Sequence, residues 1–286
     1  MGIETDFLGL KLKNPVFAAS GIIGYGEEYS ELFDINLLGG IITKTITLHP
    51  RKGNPMPRIA ETSSGMINSI GLENPGVDKF IEEKTPYISK KITTAVFVSI
   101  GGETPEEFVQ VIEKLNAIKC ISALELNLSC PNVGLSRGLG LISQNPVDSF
   151  KAVRKAKELS VFPVMAKLSP AVTDITQIAI ACEEAGAGAL SLINTVPGMH
   201  YDKSLKTAIT GGLSGPAIKP AALRAVHSVS KKVKIPVMGA GGICTARDAR
   251  EFFDAGATVI AVGSGMFRNP SLPLEIIKEL KGGSRG

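Results

Sequence analysis

The stretch PVMGAGGICTARDAREFFDAGATVIAVGSG (236–265) contains the unit from which the fold is built. It begins and ends with a short apolar run, and each run finishes in glycines. Runs that are apolar on both faces are typical of parallel strands covered by helices. Between them, residues 245–257 have a helical pattern that ends near Gly256, where a C-terminal cap is expected. The stretch therefore predicts a strand–helix–strand unit with two parallel strands.

The same alternation runs through the whole chain. Apolar runs lie at 15–20, 39–46, 93–101, 123–129, 163–169, 189–195, 236–242 and 259–265. Helical patterns lie at 104–118, 145–160, 173–187, 245–257 and 269–281. The first of these helices opens with Thr104 as N-cap and Pro105 at its first helical position. Eight strand–helix alternations predict an α/β fold, a closed TIM-type (β/α)8 barrel that forms one domain over residues 1–286.

Further segments complete the predicted architecture. Residues 3–14 predict a small N-terminal β-hairpin that caps the barrel floor. Long loops are expected over 47–74, 130–145 and 196–215. They leave the carboxyl ends of strands, which is the face on which such barrels carry out their chemistry. An open doubly wound sheet is the alternative, but it requires a glycine-rich fingerprint after the first strand, and the sequence has none there.

The composition is that of an ordinary globular enzyme. The chain has 286 residues, 44% hydrophobic and 20% charged, and its modest net charge of +4 does not favour a nucleic-acid surface. The four cysteines form no CxxC pair and have no histidine at metal-ligand spacing, so neither a metal site nor a disulfide framework is expected. The sequence shows no signal-peptide core and no apolar run long enough to span a membrane, so we expect a cytoplasmic protein.

Polar residues or glycines stand at the carboxyl ends of the predicted strands. They are Ser20, Lys44, Thr45, Ser99, Asn127, Lys167, Asn194, Thr195, Gly241, Gly242, Gly263 and Ser264. Each residue alone is explained more simply as a polar residue at a strand end whose hydrogen bonds are satisfied. Together they predict a ring of hydrogen-bonding groups around the barrel mouth. Lys44 and Lys167 interrupt apolar runs, so each needs an anionic partner. Glu125 is one candidate, and negative charge on a bound cofactor is the other.

The last two strands end in the glycine-rich segments GAGGI (239–243) and VGSGMF (262–267), and each runs into a helical pattern. Glycine lets the backbone approach a phosphate, and the loops after strands seven and eight form the usual phosphate site of this fold. We therefore expect a phosphorylated ligand. The loops alone do not separate flavin mononucleotide (FMN) from a sugar phosphate.

Two loop segments hold candidates for binding and transforming a substrate. In NLSCPN (127–132), Cys130 follows the fourth strand, and an ordinary thiol, with a pKa of about 8.5, suits removal of a moderately acidic C–H proton. A lone cysteine is more often structural, but this one is flanked by Asn127 and Asn132. NSIGLEN (68–74) offers polar groups to a planar, amide-like ligand, although plain turn chemistry explains the same residues.

In these segments the sequence resembles the catalytic subunit of the two-subunit, NAD-linked dihydroorotate dehydrogenases (class 1B). The similar segments span nearly the whole chain in order: NPVFAASGIIGYGEEY (14–29), KTITLHPRKGNPMPRIAETSSGMINSIGLENPG (44–76), NLSCPN (127–132), AKLSP (166–170), INTVPGM (193–199), GGLSGPAIKP (211–220), MGAGGI (238–243) and VGSGMF (262–267). Together they are much more specific than a barrel fold, which many unrelated functions share.

That resemblance implies a role for each matching residue. FMN would be held by Ser20, Lys44, Thr45, Ser99, Asn127, Lys167, Ile193, Gly215, Gly241, Gly242, Gly263 and Ser264; the family commonly has asparagine where this chain has Ser99. The pyrimidine would be bound by Lys44, Asn68, Ser69, Ile70, Gly71, Leu72, Asn127, Asn194 and Thr195. Cys130 would take a proton from C5 of dihydroorotate while hydride passes from C6 to FMN. Lys167 would stabilise negative charge on the reduced flavin.

The resemblance also implies a partner. It is an electron-transfer subunit carrying FAD and a 2Fe–2S cluster, which passes electrons to NAD, with catalytic subunits paired as a homodimer inside a heterotetramer. GYGEEY (24–29) and LHPRKGNPMPRI (48–59) resemble this class rather than the fumarate-linked class 1A, which stays open as a second interpretation. Competing hypotheses are a flavin-dependent tRNA dihydrouridine synthase, a sugar-phosphate barrel without flavin, and a non-catalytic binding subunit.

Overall fold

The computed structural model describes residues 2–128, 142–202 and 207–283. Its strands, numbered in chain order, are β1 Thr5–Phe7, β2 Leu10–Leu12, β3 Val16–Ala18, β4 Gly40–Ile42, β5 Ile59–Thr62, β6 Gly65–Asn68, β7 Ala95–Ile100, β8 Ala123–Asn127, β9 Val164–Leu168, β10 Ala189–Leu192, β11 Val196–Asp202, β12 Thr207–Ser214, β13 Val237–Ala240 and β14 Val259–Val262. Its α-helices are α1 Val77–Lys79, α2 Thr85–Lys91, α3 Pro105–Leu115, α4 Pro146–Leu159, α5 Ile175–Glu184, α6 Lys219–Ser230, α7 Ala246–Asp254, α8 Gly265–Arg268 and α9 Leu272–Gly282. None of these helices has the length and apolar character that a membrane crossing requires.

Eight parallel strands close into a barrel in the order β10–β13–β14–β3–β4–β7–β8–β9. The circle closes at β10, where Leu190 lies in register with Ala166 of β9 on one side and with Val237 of β13 on the other. The TIM-type barrel predicted from the alternation of apolar runs and helical patterns is therefore confirmed.

The helices cover the outside of the barrel with one apolar face each. In α3 the buried residues Phe108, Val111, Ile112 and Leu115 follow the three-and-four spacing of one helix face. The expected N-cap is confirmed, since the Thr104 hydroxyl accepts a hydrogen bond from the Glu107 amide at 3.3 Å. Strands β3, β4 and β10 are buried on both faces, as their largely apolar sequences predict.

The N-terminal hairpin closes the floor of the barrel, as predicted. Strands β1 and β2 pair in antiparallel register, and Phe7 and Leu12 are buried in the same cluster as the inward-facing side chains of the barrel. The Phe7 ring stacks on Phe97 with centroids 6.1 Å apart, and Phe17 meets Phe97 edge-on at 5.1 Å. This aromatic plug leaves the opposite end of the barrel for polar groups.

Two of the three predicted long loops carry strands instead. The segments 47–74 and 196–215 contribute β5, β6, β11 and β12, which form an antiparallel sheet in the order β11–β12–β6–β5 above the barrel. The pairing joins residues far apart in sequence, such as Asn68 with Gly212, so no local pattern shows it. Of the third segment, residues 142–145 form a short 3-10 turn and the Asn145 cap of α4, and the rest lies outside the described residues.

The alternation is less regular than the sequence predicts. Between β3 and β4 the chain forms two 3-10 turns, Glu27–Tyr29 and Ile35–Leu37, in place of a first α-helix. Gly24 and Gly26 have positive φ values in this connection, which helices do not accept. The helical segments at 77–91 and 219–230 were not predicted from the sequence. In the first of them, the π-helical stretch Phe80–Lys84 separates α1 from α2 and interrupts the three-and-four spacing of one helix face.

Gly40 offers a direct test of packing inside the barrel. A Cβ added to Gly40 would lie 2.1 Å from Cε1 of Phe17, which is fully buried. We expect Gly40→Ala to lower the free energy of unfolding by about 1–3 kcal/mol, because the aromatic plug cannot move aside. Urea denaturation measures the change. Gly282→Ala is the matched control, since nothing lies within 4 Å of its added Cβ; equal stability of the two variants would contradict this packing.

Candidate active site

A cavity of about 480 Å³ opens at the carboxyl ends of the barrel strands. Among the sequence-predicted residues, it is lined by Ser20, Lys44, Thr45, Asn68, Ile70, Gly71, Leu72, Asn127, Lys167, Ile193, Asn194, Thr195, Gly215, Gly241, Gly242, Gly263 and Ser264. These residues come from segments spread over most of the chain, and closure of the barrel brings them together. Two of the predicted residues, Ser69 and Ser99, are not among the lining residues. Cys130 lies outside the described residues.

A chain of hydroxyl groups crosses one side of the cavity wall. The Ser20 hydroxyl donates to the Thr43 carbonyl at 2.8 Å and lies 3.3 Å from the Thr45 hydroxyl. Thr45 also accepts a hydrogen bond from the Asn127 amide at 3.2 Å. Ser99 is fully buried behind Thr45, with 2.9 Å between their hydroxyl oxygens. Ser99 therefore supports Thr45 from behind, which differs from the direct ligand contact that the resemblance implies.

The floor of the cavity holds a buried ion pair. Lys167 Nζ lies 3.7 Å from Glu125 Oε1, and the side chains are 12% and 0% exposed, respectively. This confirms Glu125 as a partner for one of the two lysines that interrupt apolar runs. For Lys44, no ion pair with another of the described residues is found; its backbone amide donates to the Gly24 carbonyl at 2.8 Å.

Two glycine loops form the opposite wall. Gly241 and Gly242, after β13, have φ values of 120° and 80°, a region in which other residues are strained. At Gly263, after β14, the nearest neighbour of an added Cβ would be Ala19 Cβ at 3.9 Å, so the backbone there is open. Exposed backbone of this kind can lie directly against a ligand.

The loop after β13 is fixed by a carboxylate beneath it. Asp248 accepts a hydrogen bond from the Cys244 amide at 2.9 Å and from Lys219 Nζ at 2.5 Å. Lys219 also contacts Glu251 at 2.9 Å. Burial alone would raise the pKa of the Asp248 carboxyl, but the hydrogen bonds from Lys219 and the Cys244 amide hold it below its ordinary value.

The segment 68–72 lines the upper part of the cavity. Its shape depends on Asn54, whose side-chain amide donates to the carbonyl and the hydroxyl of Ser69 at 3.0 and 2.9 Å. Ser69 is thereby turned toward Asn54, which is why it is not among the lining residues. Gly71 has a φ of 75°, and a Cβ there would lie 2.6 Å from Asn54 Oδ1. Leu72 has a left-handed φ of 55°, so the turn is tightly constrained.

Several lining residues were missed by sequence reasoning. They include Glu28, Arg58, Met66, Glu73, Ser191, Ser214 and Phe267. Arg58 and Glu73 form an ion pair of 2.5 Å at the cavity wall. Charged residues in a long connecting segment give no periodic signal, so only the antiparallel sheet places Arg58 there. Ser191, in contrast, is a polar residue inside an apolar strand, which is a signal that the sequence does contain; it lies in register with Lys167.

The barrel and its polar mouth are typical of an enzyme that acts on a phosphate-bearing ligand. The family model for dihydroorotate dehydrogenase matches residues 2–282, and the chain belongs to that family.

Among curated relatives, "Dihydroorotate dehydrogenase B (NAD(+)), catalytic subunit" from Caldicellulosiruptor saccharolyticus is 49% identical over 280 residues, covering 96% of this chain and 92% of the relative. The protein of the same name from Geobacter sulfurreducens is 46% identical over 283 residues, covering 98% and 92%. A crystal structure of a dihydroorotate dehydrogenase from Eimeria tenella with ferulenol superposes with a TM-score of 0.81 at 23% identity, covering 97% of this chain and 83% of that one. At that identity the superposition supports the fold.

The Asp248 network predicts a pH-dependent contribution to stability. Because its pKa is depressed in the folded state, the contribution is complete above the unfolded-state pKa of about 3.9 and is lost as the pH falls through the lower folded-state value. We expect Asp248→Asn to cost about 1–3 kcal/mol at neutral pH, with a smaller difference from wild type in more acidic solution. Urea denaturation across pH measures both.

Asp78→Asn serves as the matched control for this network. Asp78 pairs with Lys114 at 2.6 Å, but its side chain is 73% exposed, so the loss should stay below about 1 kcal/mol. Equal losses in the two variants would contradict a buried role for Asp248.

Proposed function

We propose that this chain oxidises (S)-dihydroorotate to orotate in de novo pyrimidine (UMP) biosynthesis, as the catalytic subunit of an NAD-linked dihydroorotate dehydrogenase. The observation that carries the proposal is the single cavity in which the candidate flavin and pyrimidine residues meet. Family membership and the names of full-length relatives support the same reaction. Those names favour the NAD-linked class over the fumarate-linked one, and a dehydrogenase over a uridine-reducing enzyme.

The cavity suits one FMN, held within a single barrel domain that spans residues 1–286. The open backbone at Gly263 gives a phosphate room to approach. The buried ammonium of Lys167 lines the cavity, where it stabilises a bound ligand that gains negative charge. When bound, FMN supplies the hydride acceptor. The residues that would hold it are Ser20, Lys44, Thr45, Asn127, Lys167, Ile193, Gly215, Gly241, Gly242, Gly263 and Ser264, with Ser99 acting through Thr45.

The pyrimidine would lie against the part of the cavity formed by segment 68–72 and by Asn194 and Thr195. Asn68 comes from β6, and its side-chain amide is 3.5 Å from the Gly212 carbonyl. Thr195 follows β10, and its backbone amide donates to the Asn194 side chain at 2.8 Å. Side-chain amides and loop backbone together supply the donors and acceptors that a planar ring with several carbonyl and N–H groups requires. Lys44 and Asn127 complete the set.

Cys130 is the proposed catalytic base. Asn127, three residues before it in the chain, lines the cavity and is held by Thr45. In the proposed reaction the Cys130 thiolate takes the proton from C5 of dihydroorotate, and the hydride leaves C6. Lys167 offsets the negative charge that accompanies the transfer, and the burial of its side chain strengthens that interaction.

The electrons then leave through a partner subunit. The names of the relatives describe a catalytic subunit and NAD(+), which supports a second subunit; its FAD and 2Fe–2S cluster, the heterotetramer built on a homodimer, and a cytoplasmic location belong to the proposal. In the described part of the chain, His, Cys, Asp and Glu side chains form no group that could hold a metal.

An anaerobic titration of the purified chain with dihydroorotate tests the function. We expect the visible absorbance of bound FMN to bleach as the flavin becomes reduced, without any partner present. A flavin that stays oxidised would contradict dihydroorotate as the substrate, and a chain that does not bind FMN would contradict the flavin assignment.

A substitution at position 130 tests the proposed base. Cys130→Ser should keep the affinity for FMN and orotate but lose roughly a hundredfold to ten-thousandfold in turnover near neutral pH, because a serine hydroxyl is a much weaker acid than a thiol. Stopped-flow flavin reduction measures the rate.

Cys120→Ser is the control for this substitution, since Cys120 is half-buried and its thiol points to the Thr85 carbonyl at 4.0 Å. Its rate should equal that of wild type. Full activity in Cys130→Ser would exclude Cys130 as the base.

A further inference from the structure

Glu125 is a buried carboxylate that the proposed reaction does not use. Its residue is 0% exposed, yet it borders the cavity. Neither carboxylate oxygen accepts a hydrogen bond from any of the described residues. A buried carboxylate without hydrogen bonds is costly, so its presence at this position requires a compensating interaction.

That interaction is with Lys167. Asn127 of β8 lies in register with Lys167 of β9, and Glu125 lies in register with Met165, one inward-facing layer deeper. Lys167 therefore lies one layer above Glu125 on the neighbouring strand, and its ammonium is 3.7 Å from Oε1. This distance is that of an ion pair without a hydrogen bond, so the ammonium keeps its donors for a group in the cavity.

The surroundings make this pair distinct from the other charges of the cavity. Ser99, which lies in register with Glu125, does not bind its carboxylate, because the Ser99 hydroxyl is hydrogen-bonded to the Thr45 hydroxyl. Arg58 and Glu73 pair with each other at the wall. Glu28 also borders the cavity, where its carboxylate accepts a hydrogen bond from the Tyr25 amide at 3.1 Å. Glu125 is thus the carboxylate placed to act on Lys167.

We propose that Glu125 acts through Lys167: its carboxylate offsets part of the charge of the Lys167 ammonium and so lowers the reduction potential of bound FMN. This inference rests on the proposed function. Oxidation of dihydroorotate transfers a hydride, two electrons and one proton, to FMN, and the second proton goes to Cys130. The anionic reduced flavin is stabilised by net positive charge nearby, and the Glu125 carboxylate offsets part of the charge of Lys167.

Removal of the carboxylate charge should raise the reduction potential. Glu125→Gln keeps the shape of the side chain but removes its negative charge, so the ammonium acts on the reduced flavin without opposition. We expect the affinity for reduced FMN to rise about tenfold relative to that for oxidised FMN. That ratio corresponds to a midpoint potential about 30 mV more positive for a two-electron couple. A purely structural role would change both affinities together and leave the potential where it was.

The experiment is a redox titration of FMN bound to wild type, Glu125→Gln and Glu28→Gln, with the dissociation constant of oxidised FMN measured for each. Glu28→Gln makes the same chemical change at another carboxylate of the same cavity, one that accepts a hydrogen bond from the Tyr25 amide and forms no ion pair with Lys167, and it should leave the potential close to that of wild type. Glu125→Asp shortens the side chain by one methylene and so moves the carboxylate away from Lys167; it should shift the potential in the same direction by a smaller amount. If Glu125→Gln does not fold, Glu125→Asp replaces it in the test.

An unchanged or more negative potential in the Glu125 variants would overturn the inference, and so would an equal shift in Glu28→Gln. If wild type itself binds no FMN, the proposed function fails, whereas an FMN-bearing Glu125→Gln protein with an unshifted potential overturns the role of Glu125 alone.

Discussion

Hydrogen bonds between parallel strands all the way around a closed barrel are the constraint on which this molecule depends. Because the eight strands run in one direction, their carboxyl ends meet at one rim, and residues from distant parts of the sequence become neighbours. The rim can be polar because the opposite end is filled by Phe7, Phe17 and Phe97. One end of the barrel therefore supplies stability, and the other supplies the site.

Within the rim, each wall of the cavity has a different chemical character. The hydroxyl groups of Ser20 and Thr45 and the Asn127 amide form one wall, and bare glycine backbone forms another. The Lys167–Glu125 pair lies below both, where burial strengthens the interaction between charges. A flavin has matching parts, namely a hydrogen-bonding ring edge, a phosphate and a site that becomes anionic on reduction. The division of the cavity is thus consistent with one cofactor bound along its length.

Local patterns were sufficient to predict the barrel and most of the rim. Apolar runs such as 189–195 report strands directly, and a lysine inside a run, as at Lys167, shows where burial must be compensated. The antiparallel sheet escaped prediction because its strands β6 and β12 pair across a long sequence separation. For the same reason Arg58 was not expected at the cavity. The positions of Ser69 and Ser99 depend on side-chain hydrogen bonds to Asn54 and Thr45, which no spacing rule encodes.

The central claim is that FMN and the pyrimidine share this one cavity, in contact with each other. A titration of the oxidised, FMN-bearing chain with orotate tests it most directly, because a planar ring placed against a flavin perturbs the visible absorbance of that flavin. We expect a saturable spectral change whose dissociation constant equals the one measured by calorimetry. Orotate that binds by calorimetry while the flavin spectrum stays unchanged would contradict the claim, since the two ligands would then occupy separate sites.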